Sequence, residues 1–146
     1  MNLTEHFTLE ELTFSQTAAR HGIDNTPGDK ALANLRGLAN FLEVIRRIVG
    51  KPIIVTSGYR GPELNAVIGG SRTSAHMDGR AADIVSPSFG TPAELAERIA
   101  IEDIEFDQVI LEFGRWVHVA VAENPRHQIL TAVRGESGVE YKAGLV

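Results

Sequence analysis

The chain of 146 residues contains no cysteine. A disulfide framework, a thiolate-ligated zinc site and a cysteine nucleophile are thereby excluded. No apolar run approaches the ~18 residues of a membrane span. The opening stretch MNLTEHFTLEEL has neither the basic segment nor the apolar stretch of a secretory signal. Synthesis in the cytoplasm and no membrane partner are therefore expected, and work elsewhere would depend on release by another factor. Basic charge is not in excess either: the formal net charge is −5 and the pI is near 5.5. That balance argues against a nucleic-acid partner, whose footprint is a basic patch, and against adhesion to acidic polymers. There is no internal repeat and no low-complexity run. What is there is an ordinary composition, 43% apolar and 23% charged. The length suits a single domain over residues 1–146, with a core that needs no disulfides.

The N-terminal third reads as helical. Thr8 and Glu11 have capping-box spacing and predict a short helix over LEELTFSQ. GIDNTPGD reads as a loop. Leu32, Leu35, Ala39, Leu42, Ile45 and Val49 then recur every three or four residues, which predicts an amphipathic core helix over 29–49, ended by Gly50. The β-branched run Ile53 to Thr56 predicts a buried strand. The Gly- and Ser-rich segment 57–74 predicts a long loop with a helical turn near Pro62 to Val67, and loops of that length usually serve function. RAADIVS reads as a second strand. Thr91, Pro92 and Glu94 start a helix that runs to about Ala100. DQVILEF and WVHVAV alternate as two strands of a hairpin, HQILTAVR as a last edge strand, and the tail 135–146 as an arm or a frayed end.

Chemistry concentrates in SAHMDGRAADIV and RWVHVAV. His76 and Asp83 flank MDGRAA, where Gly79 permits a tight backbone course and Ala81 and Ala82 leave space. Asp83 falls on a strand with its two neighbours facing the other way. His118 lies mid-strand between two valines. A histidine there can be half-buried and satisfied by a carbonyl. Two histidines and an aspartate can instead supply three N and O ligands, a set that suits a catalytic Zn²⁺ with a fourth position left for water. The pattern alone leaves both readings open.

SAHMDGRAAD fits Ser-x-His-x-x-Gly-x-Ala-x-Asp, with TSGYRGPELN before it and RWVHV after it. In that order and spacing the three segments resemble the zinc D-Ala-D-Ala carboxypeptidase family, which also includes phage L-alanyl-D-glutamate endopeptidases. The start LTEHFTLEELTFSQTAARHGIDNTP is similar to its small phage and prophage branch. The resemblance implies one Zn²⁺ on His76, Asp83 and His118. It implies an α+β fold related to the Hedgehog signalling domain, with N-terminal helices packed on a small antiparallel sheet. It implies a peptidoglycan stem peptide as partner, a monomer, and action on the cell wall after release or as part of a phage particle. It also implies that Arg60 faces the substrate, where a guanidinium can hold a carboxylate bidentately or stabilise an oxyanion. Ser74 can orient a ligand or substrate, or simply cap its loop.

Hydrolysis needs a general base. Some members of the family carry Glu-x-x-His, but this chain has Arg115 at that glutamate position. The nearest upstream carboxylate is Glu112, and its face depends on register. Placing the odd-numbered apolar residues of both strands on the core face pairs Leu111 with Val117 and Val109 with Val119. The turn is then Phe113, Gly114 and Arg115, and Gln108, Ile110 and Glu112 share the other face with Trp116 and His118. Glu112 stands diagonal to His118, ~7–8 Å away at Cα and within reach of a long side chain. A two-residue turn would send Glu112 to the wrong face. Gln108 and Trp116 are further candidates for substrate contact, with packing as the alternative for Trp116. His6, His21 and His127 read as surface residues, and Asp78 with Arg80 as a pair across the loop. The expected activity is a zinc peptidase cleaving stem peptides, as carboxypeptidase or endopeptidase. The rival is a non-catalytic, metal-stabilised module that binds cell wall or builds a phage particle. Glu102, Glu105 and Glu123 are reserve candidates for the base.

Overall fold

The computed structural model describes residues 1–146. Two short helices open the chain, α1 (Leu9–Thr13) and α2 (Gln16–His21), followed by the long α3 (Asp29–Val49). Then come β1 (Ile54–Ser57), α4 (Pro62–Ile68), a 3₁₀ helix (Ala75–Asp78) and β2 (Ala81–Val85). The chain continues through α5 (Pro92–Ala100), β3 (Gln108–Glu112), β4 (Trp116–Ala120), β5 (Gln128–Gly135) and β6 (Gly138–Ala143). None of the helices is long and apolar enough to cross a membrane.

The capping box at Thr8 and Glu11 forms as expected. The helix it starts is shorter than the sequence suggested, because Ser15 takes an extended backbone and caps α2 by accepting from the Ala18 N–H. Along α3 the apolar stripe is buried at Leu35, Ala39, Leu42, Ile45 and Val49, joined by Leu38 and Phe41, while Leu32 is only half-buried. This stripe and Leu95, Ala96 and Ile99 of α5 cover one face of the sheet, which presents Ala82, Ile84, Val109, Leu111, Val117 and Val119. Each large side chain fully buried here contributes roughly 1.5–3 kcal/mol. The cluster holds 21 buried residues.

The sheet has the order β1-β2-β4-β3-β5-β6 and is antiparallel except where β5 lies parallel to β3. The α+β class and the largely antiparallel sheet are those the sequence implied. The strand read over Ile53 to Thr56 forms one residue later, and it is not buried: β1 is an edge strand, exposed at Ile54 and Thr56 and half-buried at Val55 and Ser57. Two expectations at the C-terminus also need correction. HQILTAVR is not an edge strand, because β5 is paired on both sides. The tail is not an arm or a frayed end: residues 138–143 form β6, the true edge, and β5 pairs with it from Leu130↔Ala143 to Gly135↔Gly138. The parallel pairing follows from the path of the chain. β4 returns to the start of β3, and residues 121–127 pass around that end of β3 to its free side. Asp107 pins that crossing by accepting from the Arg126 backbone N–H, Nε and Nη2 at 3.1, 2.9 and 2.8 Å. Those bonds, against the opposing effect of burial, hold the Asp107 carboxyl below its usual pKa.

Close contact between α3 and the loop before β2 depends on one glycine. Gly79 has φ +74°, and a Cβ there would stand 2.7 Å from the Ala31 carbonyl oxygen and 3.1 Å from Leu35 Cγ. Gly79→Ala is expected to cost about 2–4 kcal/mol, from left-handed backbone strain together with overpacking. Urea denaturation measures it, and a loss below about 1 kcal/mol would show that the loop moves aside freely.

Candidate metal centre

The face of the sheet turned away from the core carries the polar residues, in rows set by strand register. The middle row runs Ser57, Asp83, His118, Ile110 and Leu130 across β1, β2, β4, β3 and β5. On one side lies the row Trp116, Glu112, Ala132 and Tyr141. On the other lie Ala81, Ala120, Gln108 and Gln128. The hairpin has the register inferred from the odd-numbered apolar residues, with Glu112 opposite Trp116 and diagonal to His118. Its turn takes positive φ at two successive residues, Phe113 at 57° and Gly114 at 66°. The Arg115 N–H donates to the Glu112 carbonyl around them, and Arg115 is the third residue of the turn, which keeps Glu112 opposite Trp116. Phe113 is held in this costly conformation by packing: its ring meets Trp116 edge-on at 5.7 Å, and the Arg134 guanidinium lies over it at 4.6 Å.

Asp83 and His118 are direct partners across β2 and β4, which puts Asp83 Oδ1 3.3 Å from His118 Nδ1. His76 arrives from outside the sheet. Its 3₁₀ helix is capped by Ser74, whose Oγ accepts from the His76 N–H at 3.2 Å. The loop after β1 is tied to the same helix, since the Arg60 N–H donates to the His76 carbonyl. Asn25 pins this loop from the other side, accepting from the Gly61 N–H and donating to the Tyr59 carbonyl. Gly58 packs against α1, where a Cβ would fall 2.3 Å from the Leu12 carbonyl oxygen.

The hydrogen bonds settle which ring nitrogen faces inward. His76 Nδ1 lies 2.8 Å from the Gly58 carbonyl, which can only accept, so Nδ1 carries the proton. The opposite nitrogen, Nε2, is then 3.3 Å from Asp83 Oδ1. Gln108 Nε2 donates to Gln128 Oε1, so its own Oε1 faces His118 Nε2 at 3.2 Å and accepts from it. His118 therefore turns Nδ1 toward Asp83. In the neutral imidazoles two nitrogen lone pairs and a carboxylate oxygen converge, all within 4.8 Å of one another. Three acceptors with no donor between them form a place for a cation. Two nitrogens and one oxygen suit Zn²⁺, and each histidine has an outer oxygen acceptor that fixes its ring, as zinc-binding histidines do. The residues present fit the ion.

All three side chains are buried or nearly so: His76 is 3% exposed, and Asp83 and His118 are 8% exposed. Burial pushes the Asp83 carboxyl up, but the pull of the His118 and His76 imidazoles, when their inward nitrogens carry protons, outweighs it and holds the group well below the usual carboxylate range. Glu112 moves the opposite way. Burial and then the charge of Asp83 raise its pKa, against the pull of His118 and Arg60. Its Oε1 is 3.7 Å from His118 Nδ1. The Trp116 indole N–H is turned toward Glu112 without reaching hydrogen-bond geometry. Burial lowers the Arg60 pKa, while Asp83 and Glu112 draw it back up. Its Nε has no partner in the protein.

A cavity of about 810 Å³ contains Arg60, Ser74, His76, Asp83, Gln108, Glu112, Trp116 and His118, so every site residue expected from the sequence borders it. The size is ordinary for a small-ligand cleft. Leu130 and Tyr141 of the C-terminal hairpin border it too and were missed. The signal available was the alternation of Val139, Tyr141 and Ala143 behind the turn-like ESG. Arg80 pairs with Glu123 at 3.5 Å rather than with Asp78. Glu102 pairs with Arg98, and neither these carboxylates nor Glu105 borders the cavity. His6 is exposed as expected, although it bonds Glu43 at 2.7 Å. Exposed His127 stacks on Phe106.

A family model described as Peptidase M15 matches residues 5–120. No curated protein matches the sequence.

An ion bound only by the folded state stabilises it by about 2.7 kcal/mol at a hundred times its Kd. At this chain length that amounts to roughly 5–10 °C in Tm. Zn²⁺ added to chelator-treated protein is expected to raise Tm by that amount, and Asp83→Ala is expected to remove the rise. Calorimetry with and without the metal checks both. A rise of equal size in the variant would place the ion elsewhere.

Proposed function

The chain belongs to the peptidase M15 family of zinc-dependent metallopeptidases, and from that premise we propose that it hydrolyses peptide bonds of peptidoglycan stem peptides, as a carboxypeptidase or an endopeptidase. The observation that carries this reading is the convergence of His76 Nε2, Asp83 Oδ1 and His118 Nδ1 beside a fourth, separately tuned group, Glu112. One Zn²⁺ on the first three supplies Lewis acidity, polarising a carbonyl and acidifying water.

The remaining roles fall to the side chains around it. Glu112 takes the proton of the attacking water at Oε1 and later returns it to the leaving amine. A carboxylate whose pKa is raised by burial is a stronger base than a solvated one. It enters from β3, one strand away from His118, and so replaces the glutamate that some relatives carry at the position of Arg115, which here is exposed on the hairpin turn. Arg60 borders the cleft, and its guanidinium holds a substrate carboxylate or the developing oxyanion. Ser74 shapes the His76 loop. Gln108 has both ends of its amide engaged, so it orients His118 rather than binding substrate. Trp116 forms a wall beside Glu112. A half-buried carboxylate beside the ligand cluster is placed for proton transfer, and that placement favours hydrolysis over the non-catalytic reading.

Glu112→Gln keeps the size of the side chain but cannot accept a proton. Hydrolysis of purified sacculi should fall by at least ~10²-fold, with zinc content and Tm nearly unchanged. Cleavage at the wild-type rate would remove Glu112 from the mechanism. Arg60→Ala should lower kcat/KM by about 30- to 1000-fold, the loss of roughly 2–4 kcal/mol of charge-assisted contact. Zinc content should hold. A large fall in Tm would instead assign Arg60 to the architecture of its loop. Mass spectrometry of the new termini tells which bond is cut.

A further inference from the structure

The family match ends at residue 120, yet the cleft does not. Across β3, β5 and β6 the partners of Glu112 are Ala132 and then Tyr141. Ala132 is fully buried and carries only a methyl group, so nothing bulky stands between Glu112 and Tyr141. Tyr141 borders the cavity although 58% of it is exposed. Its phenol feels Glu112 directly: burial and then that carboxylate raise its pKa. One row away Leu130 extends the apolar floor begun by Ile110. The fold does not account for Tyr141, which lies outside the hydrophobic core and the side chains packed on it. The pairing of its strand is carried by the backbone.

Resting on the peptidase reading above, we infer that Tyr141 is a substrate-contacting residue that sets specificity, holding the segment of peptide that runs from the metal centre past Glu112 over the β5–β6 hairpin. The ring lies against flat peptide units, and the hydroxyl donates to a backbone carbonyl. Leu130 and Ile110 beneath accept small apolar side chains such as that of alanine. Trp116 and Tyr141 flank Glu112 from opposite sides of its row, so a peptide laid across the row meets an aromatic wall at each end.

The test uses the full chain loaded with Zn²⁺ and a synthetic stem peptide. Tyr141→Ala is expected to raise KM about tenfold, the scale of one lost hydrogen-bonded aromatic contact, with kcat within about threefold and zinc content unchanged. Tyr141→Phe, which keeps the ring and its packing, is expected to raise KM about threefold. Binding is read separately in a Glu112→Gln background that does not turn over. Trp116 is the only tryptophan of the chain, so quenching of its fluorescence reports occupancy of the cleft. The same two substitutions should weaken Kd in the same order. Unchanged KM and Kd in both variants, with the wild type cleaving normally, overturns the role of Tyr141 and leaves the peptidase reading standing. A wild type that neither cleaves nor binds the stem peptide overturns both.

Discussion

Strand alternation across β2, β4 and β3 lets one sheet carry two incompatible chemistries. Its odd-numbered residues on β3 and β4 are buried beneath α3 and α5, as are Ala82 and Ile84 of β2. The opposite face is left for Asp83, His118 and Glu112. The covered face lends rigidity to the open one. Val117 and Val119, the neighbours of His118 along β4, are both fully buried, so the ring between them cannot shift without disturbing the core. Asp83 is held the same way between Ala82 and Ile84. A one-residue slip would put the carboxylates in the core and the valines in the cleft, at a cost that core burial makes prohibitive.

The sheet delivers only two of the three converging atoms. The third comes from a 3₁₀ helix, a weakly stable element, and its position depends on neighbours brought from distant parts of the chain. Gly58 lends a carbonyl to His76 Nδ1 while packing against Leu12 of α1. Gly79 lets the same segment settle on α3. The N-terminal helices thus stabilise the loops around the cleft as well as covering the core.

Electrostatics then divides the labour between two carboxylates that stand close together. Asp83, flanked by two imidazoles, is held well below the usual carboxylate range and stays ionised, which keeps a negative charge where a cation is wanted. Glu112 has one imidazole near it, at 3.7 Å. It is pushed up by burial and by Asp83 itself, so one group resists protonation and the other is ready for it.

The amphipathic period of α3, the central strands, the caps at Thr8 and Thr91, and the hairpin register that aims Glu112 into the cleft were all legible in the sequence. Each follows from local preferences and from which residues avoid water. The β-branched run before Ser57, in contrast, read as buried and proved to be an exposed edge. The grouping of His76, Asp83 and His118 was legible as a motif. Long-range geometry was not. The pairing of Arg80 with Glu123 and the engagement of Gln108 by Gln128 join distant residues whose chemistry admits several partners. The C-terminal hairpin was the largest omission. All six residues of β6 are exposed, so the strand carries no strong hydrophobic signature, and its place comes from backbone bonds to β5. Those bonds join the arms of a hairpin closed at Glu136 and Ser137, and it is the parallel pairing of β5 with β3 that brings this hairpin to the cleft. Local sequence thus determined which residues could face the cleft on the central strands, and the packing of distant segments decided what else stands there with them.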